Sequence, residues 1–422
     1  MNLFRAVALL FLLPTSLFAQ NDFLLKDGQR VVFLGDSNTF NGKFIAYLDG
    51  YLFTRFPKQK FELINLGLPS ETVSGLSEAD HPYPRPSVQD RVDAALEKSK
   101  PHVVVICYGM NDGIYSPFSE DRFKKYQEGI QKVLEKVKKI GAMPILMTPA
   151  PFDPKPLKAK ILPKKSEKFS WLQPYENYDD EVLAYYSEWL LSLREEKYLV
   201  ADPHSAIVTH LMSMRVKNEK YCVSMDGIHP DANGHALIAR ELLLTLKAPA
   251  IVDQAQFGGE VKDPALMNFS NKEGTITFSW TSRIPMPYDP AWDKNLAVSE
   301  RLTERLNWHA IRGQFVFGKK YTLTINDQNL GEITGEELTS GVNLLKFPDL
   351  ITNKRAAEMW KLVEERQKLL GLAWLTDVGH QRPDTPKGIP LDEAKKKAAD
   401  LEEKIRKLAE PAELKVKLQE VK

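Results

Sequence analysis

Between residues 30 and 246, short apolar runs without polar alternation take turns with amphipathic stretches. This pattern restricts the chain more than any other. A strand that is apolar at successive residues has both faces covered, as in a parallel sheet held between helical layers. The runs are Arg30-Val31-Val32-Phe33-Leu34, Phe61-Glu62-Leu63-Ile64-Asn65-Leu66, Val103-Val104-Val105-Ile106-Cys107, Pro144-Ile145-Leu146-Met147 and Tyr198-Leu199-Val200. Helical periodicity lies at 88–96, 121–140, 180–193 and 233–246. The alternation predicts an α/β fold: a three-layer, doubly wound parallel sheet. A Pro- and Lys-rich segment, 152–178, interrupts the rhythm after the fourth run. A long loop at the sheet's carboxyl edge serves either as a binding wall or as a surface elaboration.

After Lys247 the pattern changes. Ala248-Pro249 reads as a linker. Thr275-Ile276-Thr277-Phe278-Ser279-Trp280 and Tyr321-Thr322-Leu323-Thr324-Ile325 alternate as antiparallel strands do, and Asn326-Asp327-Gln328-Asn329 reads as a turn. Gly341-Val342-Asn343-Leu344-Leu345 is a further candidate strand. Residues 354–370 and 391–408 are helical and charged, which predicts a helical hairpin with a solvated face. Leu414-Lys415-Val416-Lys417-Leu418 alternates again and is expected to rejoin the β region. A chain of 422 residues exceeds the size at which one core stops growing. The expected organisation is a signal peptide at 1–20, the α/β domain at 21–248, and a smaller β-rich domain at 249–422 carrying the hairpin at about 354–408.

The signal peptide is read from Arg5, the apolar run 6–13, Pro14 and a small residue at Ala19. The run is shorter than the ~20 residues that span a bilayer. The mature protein is therefore expected to be exported, periplasmic or secreted, with no integral membrane segment. A net charge of +1 gives no argument for a nucleic-acid partner. Of the two cysteines, Cys107 lies in an apolar run that suits a buried free thiol, and pairing with Cys222 stays open.

Ser37 follows the first run directly, in Gly35-Asp36-Ser37-Asn38. Ligands of open α/β sheets bind beyond the carboxyl ends of the strands, so a nucleophile belongs there, although a Ser at such a turn also suits a helix cap. Asp226-Gly227-Ile228-His229 places a carboxylate three residues before a His. That spacing lets Asp226 orient the ring and leaves its other nitrogen for a nucleophile. His102, His204, His210 and His235 lack such an Asp. Gly67 and Asn111 end the second and third runs, and a Gly N–H and an Asn amide are both suitable donors to an oxyanion. No His-x-x-x-His or Cys-x-x-Cys spacing points to zinc, and no metal or cofactor is expected.

The blocks Gly35-Asp36-Ser37, Gly67, Gly109-Met110-Asn111-Asp112 and Asp226-Gly227-Ile228-His229 occur in the order of the SGNH (GDSL-type) hydrolases, which this chain resembles over residues 29–246. The resemblance implies a flavodoxin-like fold. It also implies Ser37 as nucleophile, His229 as base, Asp226 as its orienter, and an oxyanion hole from Ser37 N–H, Gly67 N–H and the Asn111 side chain. Two features depart from the family pattern: Asn38 stands where Leu is usual, and the second block lacks its second Gly. Tyr83, Arg85, Phe152 and Trp171 are candidate substrate-binding residues, with the aromatics suited to sugar rings and Arg85 to an acidic group. By analogy with exported relatives, the expected reaction is removal of O-acetyl groups from carbohydrate, on a small molecule or a polysaccharide. The alternatives are a lysophospholipase or broad carboxylesterase and, in another class, a carbohydrate-binding protein with a decayed site. Trp280, Trp292, Trp308, Trp360 and Trp374 are either core or a glycan platform.

Overall fold

The computed structural model describes residues 22–421 apart from 259–260 and 263–264. The signal-peptide segment, 1–20, lies outside the described residues. Five strands form one parallel sheet: β1 (Arg30–Gly35), β2 (Glu62–Asn65), β3 (Val103–Cys107), β4 (Met143–Met147) and β5 (Leu199–Ala201). Their order is β2-β1-β3-β4-β5, so the winding reverses between β1 and β3. Each of the five apolar runs became one of these strands, within a residue or two at either end. Val31 and Phe33 face one apolar layer, Val32 and Leu34 the other.

Helices Val92–Ser99, Glu120–Lys139 and Ala184–Ser192 cover one face, and Lys43–Arg55, Pro203–Arg215 and Ala232–Thr245 the other. The sequence pattern did not disclose Lys43–Arg55, for a physical reason. Every residue in it after Lys43 is buried, so no polar face remains to mark a period. One side meets the sheet. The other meets the long C-terminal helix Ile351–Val378, where Trp360 stacks on Tyr47 at 4.8 Å and Arg366 pairs with Asp49 at 2.9 Å.

That contact relocates the helical hairpin. In sequence it stands with the C-terminal β region, but in space Ile351–Val378 and Leu391–Leu408 pack on the α/β layers. Met359, Trp360, Val363 and Ile405 join one layer of the α/β core, and Leu370, Trp374 and Ala398 join the other. The helix also lies along β2, the sheet edge, where Gly371 approaches the Asn65 side chain. An edge strand covered in this way has no free ladder to offer another chain.

The β-rich part has its own core, built around Phe257, Phe278, Trp280, Leu323 and Leu414. Its five-stranded antiparallel sheet runs Gln328–Thr334, Lys320–Ile325, Ala412–Glu420, Thr275–Ser282, Leu266–Lys272. The last strand of the chain occupies the centre of that sheet, pairing on both sides. Asn326 and Asp327 make the two-residue hairpin turn, both at positive φ. A four-stranded sheet pairs Ile251–Gly258 with Trp308–Gly313 in parallel. The candidate strand at Gly341 shrinks to Val342–Asn343, because Asn343 caps a 3-10 turn over Leu344–Lys346.

Trp280, Trp360 and Trp374 are buried, which removes them from any glycan platform. Cys107 and Cys222 are both free thiols. Among the described residues, no helix is long and apolar enough to cross a membrane.

Candidate active site

Ser37 is the first residue of a short helix, Ser37–Asn41, that begins where β1 ends. Asp36 caps it, accepting the Asn38 N–H at 2.9 Å. The turn is tight: a Cβ on Gly35 would lie 2.1 Å from Thr39 Oγ1 and 2.8 Å from Cys107 O. Only Gly fits between the nucleophile turn and β3. The Ser37 N–H sits at the helix start, where it has no intrahelical acceptor.

His229 completes a hydrogen-bonded chain. Its Nε2 lies 2.8 Å from Ser37 Oγ, and its Nδ1 lies 2.7 Å from Asp226 Oδ2. Asp226 Oδ1 accepts the N–H groups of Ile228 at 3.0 Å and His229 at 2.8 Å, which locks the Asp-x-x-His loop around its own carboxylate. The side chains of His229 and Asp226 are 45% and 55% exposed, so the site is shallow and open.

Three carboxyl groups titrate abnormally here. Partial burial opposes ionisation of Asp226, but the hydrogen bonds from His229 and Ile228 outweigh it and hold the group well below its ordinary value. Burial likewise opposes charging His229, yet the Asp226 bond and charge, with Asp36 nearby, hold it above its usual 6.5. Asp36 is pushed up to about 7 by burial, against the pull of the Asn38 N–H and the His229 charge. Burial also pushes Asp112 up to about 6.

The Asp36 shift has a consequence for stability. Its folded pKa of about 7 lies above the ordinary 3.8, so the fold favours the protonated group. Asp36 is fully compatible with the fold below pH 3.8, and stability falls as pH rises through about 7. Asp36→Asn keeps the cap acceptor and removes the charge. The variant is expected to be more stable than the parent by up to ~4 kcal/mol at pH 8 and no more stable at pH 4. Thermal melts of both proteins at the two pH values check this.

The second and third blocks meet behind Ser37. A Cβ on Gly67 would lie 2.2 Å from Phe40 N, so the loop after β2 abuts the nucleophile helix at that point. Asn65, which sequence reasoning passed over, ties the two: its Nδ2 donates to Thr39 O at 2.8 Å and its Oδ1 accepts Gly67 N–H at 2.8 Å. Gly67 N–H is thus already bonded. Ser70 stands at φ +65°, a conformation that favours glycine, so the block keeps its left-handed turn without its second Gly. The Ser70 N–H has no partner among the described residues. Asn111 Nδ2 donates to Glu71 O at 3.1 Å, which leaves its second hydrogen, and Asn111 Oδ1 accepts from Tyr115 at 2.9 Å. Asp112 Oδ1 accepts the N–H groups of Val73 and Ser74, both at 2.9 Å. Glu71, Arg91 and Tyr108 form a buried cluster that fixes this loop from below.

Residues 33–237 match the model of the GDSL-like lipase/acylhydrolase family. The α/β domain belongs to that family. The protein is accordingly an ester-bond hydrolase. A gut microbial diltiazem-metabolizing enzyme shares the fold at a TM-score of 0.71 and 19% identity, over 96% of this chain and 100% of that one. The likeness therefore extends through the β-rich part and the hairpin. An acetylxylan esterase from Geobacillus stearothermophilus, solved as a catalytic mutant, matches at a TM-score of 0.40 and 20% identity, over 53% of this chain and 96% of that one. No curated protein sequence matches the chain.

The four candidate substrate residues of this GDSL-like hydrolase divide. Tyr83 is half-buried, and Trp171 is exposed at the tip of a turn closed by Ser170 and Gln173. Phe152 is buried against Tyr178, which makes it core. Arg85 is buried and bound through two nitrogens to Glu78 at 2.5 and 2.7 Å, so its charge is neutralised within the loop. Segment 152–178 joins two of the blocks. Asp153 N–H donates to Gly227 O at 2.9 Å, and Tyr178 O–H to Met110 O at 2.8 Å.

Proposed function

We propose that this hydrolase is an exported serine esterase that removes O-acetyl groups from carbohydrate through an acyl-enzyme. The observation that carries the chemistry is the unbroken chain Asp226–His229–Ser37, at 2.7 and 2.8 Å. His229 takes the Ser37 proton as Oγ attacks the acyl carbonyl. Asp226 holds the tautomer with the proton on Nδ1 and stabilises the imidazolium that forms. His229 then returns the proton to the leaving alcohol. In the second half it activates water, which releases the acid from Ser37.

The tetrahedral oxyanion needs donors that are in place beforehand. Ser37 N–H and the second hydrogen of Asn111 Nδ2 serve. The third donor passes from Gly67, whose N–H is held by Asn65, to the unpartnered Ser70 N–H. Asn111 and Ser70 are neighbours through Glu71 O.

The openness of the site supports a small acyl group on a large alcohol. A long acyl chain gains from burial at ~0.8 kcal/mol per CH₂, which requires an apolar trench beside the nucleophile. Here the base and its carboxylate stand half in solvent. Hydrolysis of p-nitrophenyl esters of rising chain length is the test. Acetate is expected to exceed octanoate at least about tenfold in kcat/KM. A preference for octanoate would move the function to a lysophospholipase or broad carboxylesterase. Retained glycan binding with no ester turnover would leave the binding-protein alternative.

A further inference from the structure

The loop beside the site retains an uncompensated cation, and it comes from the far end of the chain. Residues 379–390 connect the two hairpin helices. Gly388 N–H donates to Thr376 Oγ1 at 2.8 Å, folding the connector back on its own helix. The guanidinium of Arg382 then lies over the Tyr83 ring, 5.5 Å from its centroid. Arg85, Arg91 and Arg366 pair with Glu78, Glu71 and Asp49, whereas Arg382 makes no ion pair among the described residues. Its Nη1 donates to Pro383 O and Thr385 Oγ1, both at 3.1 Å, while Nε is shielded and without an acceptor. Partial desolvation of a cation without a counter-charge is unfavourable, and a bound anion offsets it.

Tyr83 shares its loop with Arg85. Two residues on, Arg85 Nη1 donates to Ser70 O at 3.3 Å, and its guanidinium lies 5.5 Å from the ring of Tyr115, which bonds Asn111. The Tyr83–Arg382 pair therefore stands on the loop that backs the proposed oxyanion donors. A guanidinium stacked on an aromatic ring is held flat and loses little freedom when it binds a carboxylate.

We propose that the hairpin connector forms one wall of the substrate cleft and that Arg382, stacked on Tyr83, takes a carboxylate on the sugar part of the ester. The substrate class is then an acylated acidic glycan. This rests on the esterase assignment above. The β-rich part and hairpin thereby supply a specificity element as well as packing.

The test uses the full chain and p-nitrophenyl acetate as reporter. Competitive inhibition is measured with tetragalacturonate and with the same oligomer after carboxyl reduction. The parent is expected to bind the acidic oligomer at least about tenfold more tightly, the scale of one charge-assisted hydrogen-bonded pair. Arg382→Gln should bring the ratio of the two inhibition constants close to one. Arg382→Lys, which keeps the charge and loses the planar fork, should restore part of it. A thermal melt identifies a misfolded Gln variant, and the Lys variant then carries the comparison. A parent ratio near one, or an unchanged ratio in Arg382→Gln, overturns the proposal. Failure of the parent to hydrolyse p-nitrophenyl acetate would instead strike the esterase assignment itself.

Discussion

Ser37→Ala is expected to lower kcat for p-nitrophenyl acetate by about 10⁴-fold or more, the scale found when a triad nucleophile is removed. The substitution deletes Oγ and leaves every other element of the site in place. Asp36 still caps the helix, and the proposed oxyanion donors remain, since two are backbone N–H groups and the third is the Asn111 side chain. Residual turnover then comes from water positioned beside His229. Ser37 is only half-buried and, among the described residues, its Oγ bonds His229 alone, so the melting temperature should move little. Parallel measurement of kcat and a thermal melt separates chemistry from folding. A variant that kept more than about a tenth of parental activity would remove Ser37 as the nucleophile.

Asp226→Asn is expected to cost about 10²–10⁴-fold in kcat/KM and to change its pH dependence. The amide is isosteric, but toward His229 Nδ1 it no longer presents an anionic acceptor. The tautomer with a free Nε2 lone pair facing Ser37 loses its support. In the parent, His229 must be neutral to act as base, and its pKa is held above 6.5. Activity therefore falls as pH drops through that raised value. Without the carboxylate the imidazolium is less favoured, and the acid limb should move to lower pH even as the plateau rate collapses. A pH–rate profile of both proteins decides the matter. An acid limb unchanged in the variant would mean that Asp226 does not act through His229. The exposure of Asp226 sets the lower end of the range, since water can partly replace its charge.

The α/β sheet was legible because its strands are covered on both faces and so read as unbroken apolar runs. The nucleophile turn and the Asp-x-x-His loop were legible for a different reason: each is a local device whose bonds close within three residues. Asp36 caps Asn38, and Asp226 binds Ile228 and His229. Helix Lys43–Arg55 was not legible, since burial on all sides erases the period that identifies a helix. Gly67 and Arg85 show a subtler limit. Both have the right residue type, but Asn65 holds the Gly67 N–H and Glu78 neutralises Arg85, and neither partner can be picked out from residue type alone. Ser70 left one signal, the absence of the expected second Gly, whose meaning needed the backbone angle.

Residue order was enough to settle the reaction class, because the chemistry sits on short segments placed by successive strands at one sheet edge. Packing between residues about three hundred positions apart decided the rest. It brought Arg366 to Asp49 and Trp360 to Tyr47, which makes the hairpin part of the α/β core. It also carried Arg382 onto Tyr83. Contacts of that range depend on which apolar faces find each other, and a periodic pattern shows that a face exists without naming its partner.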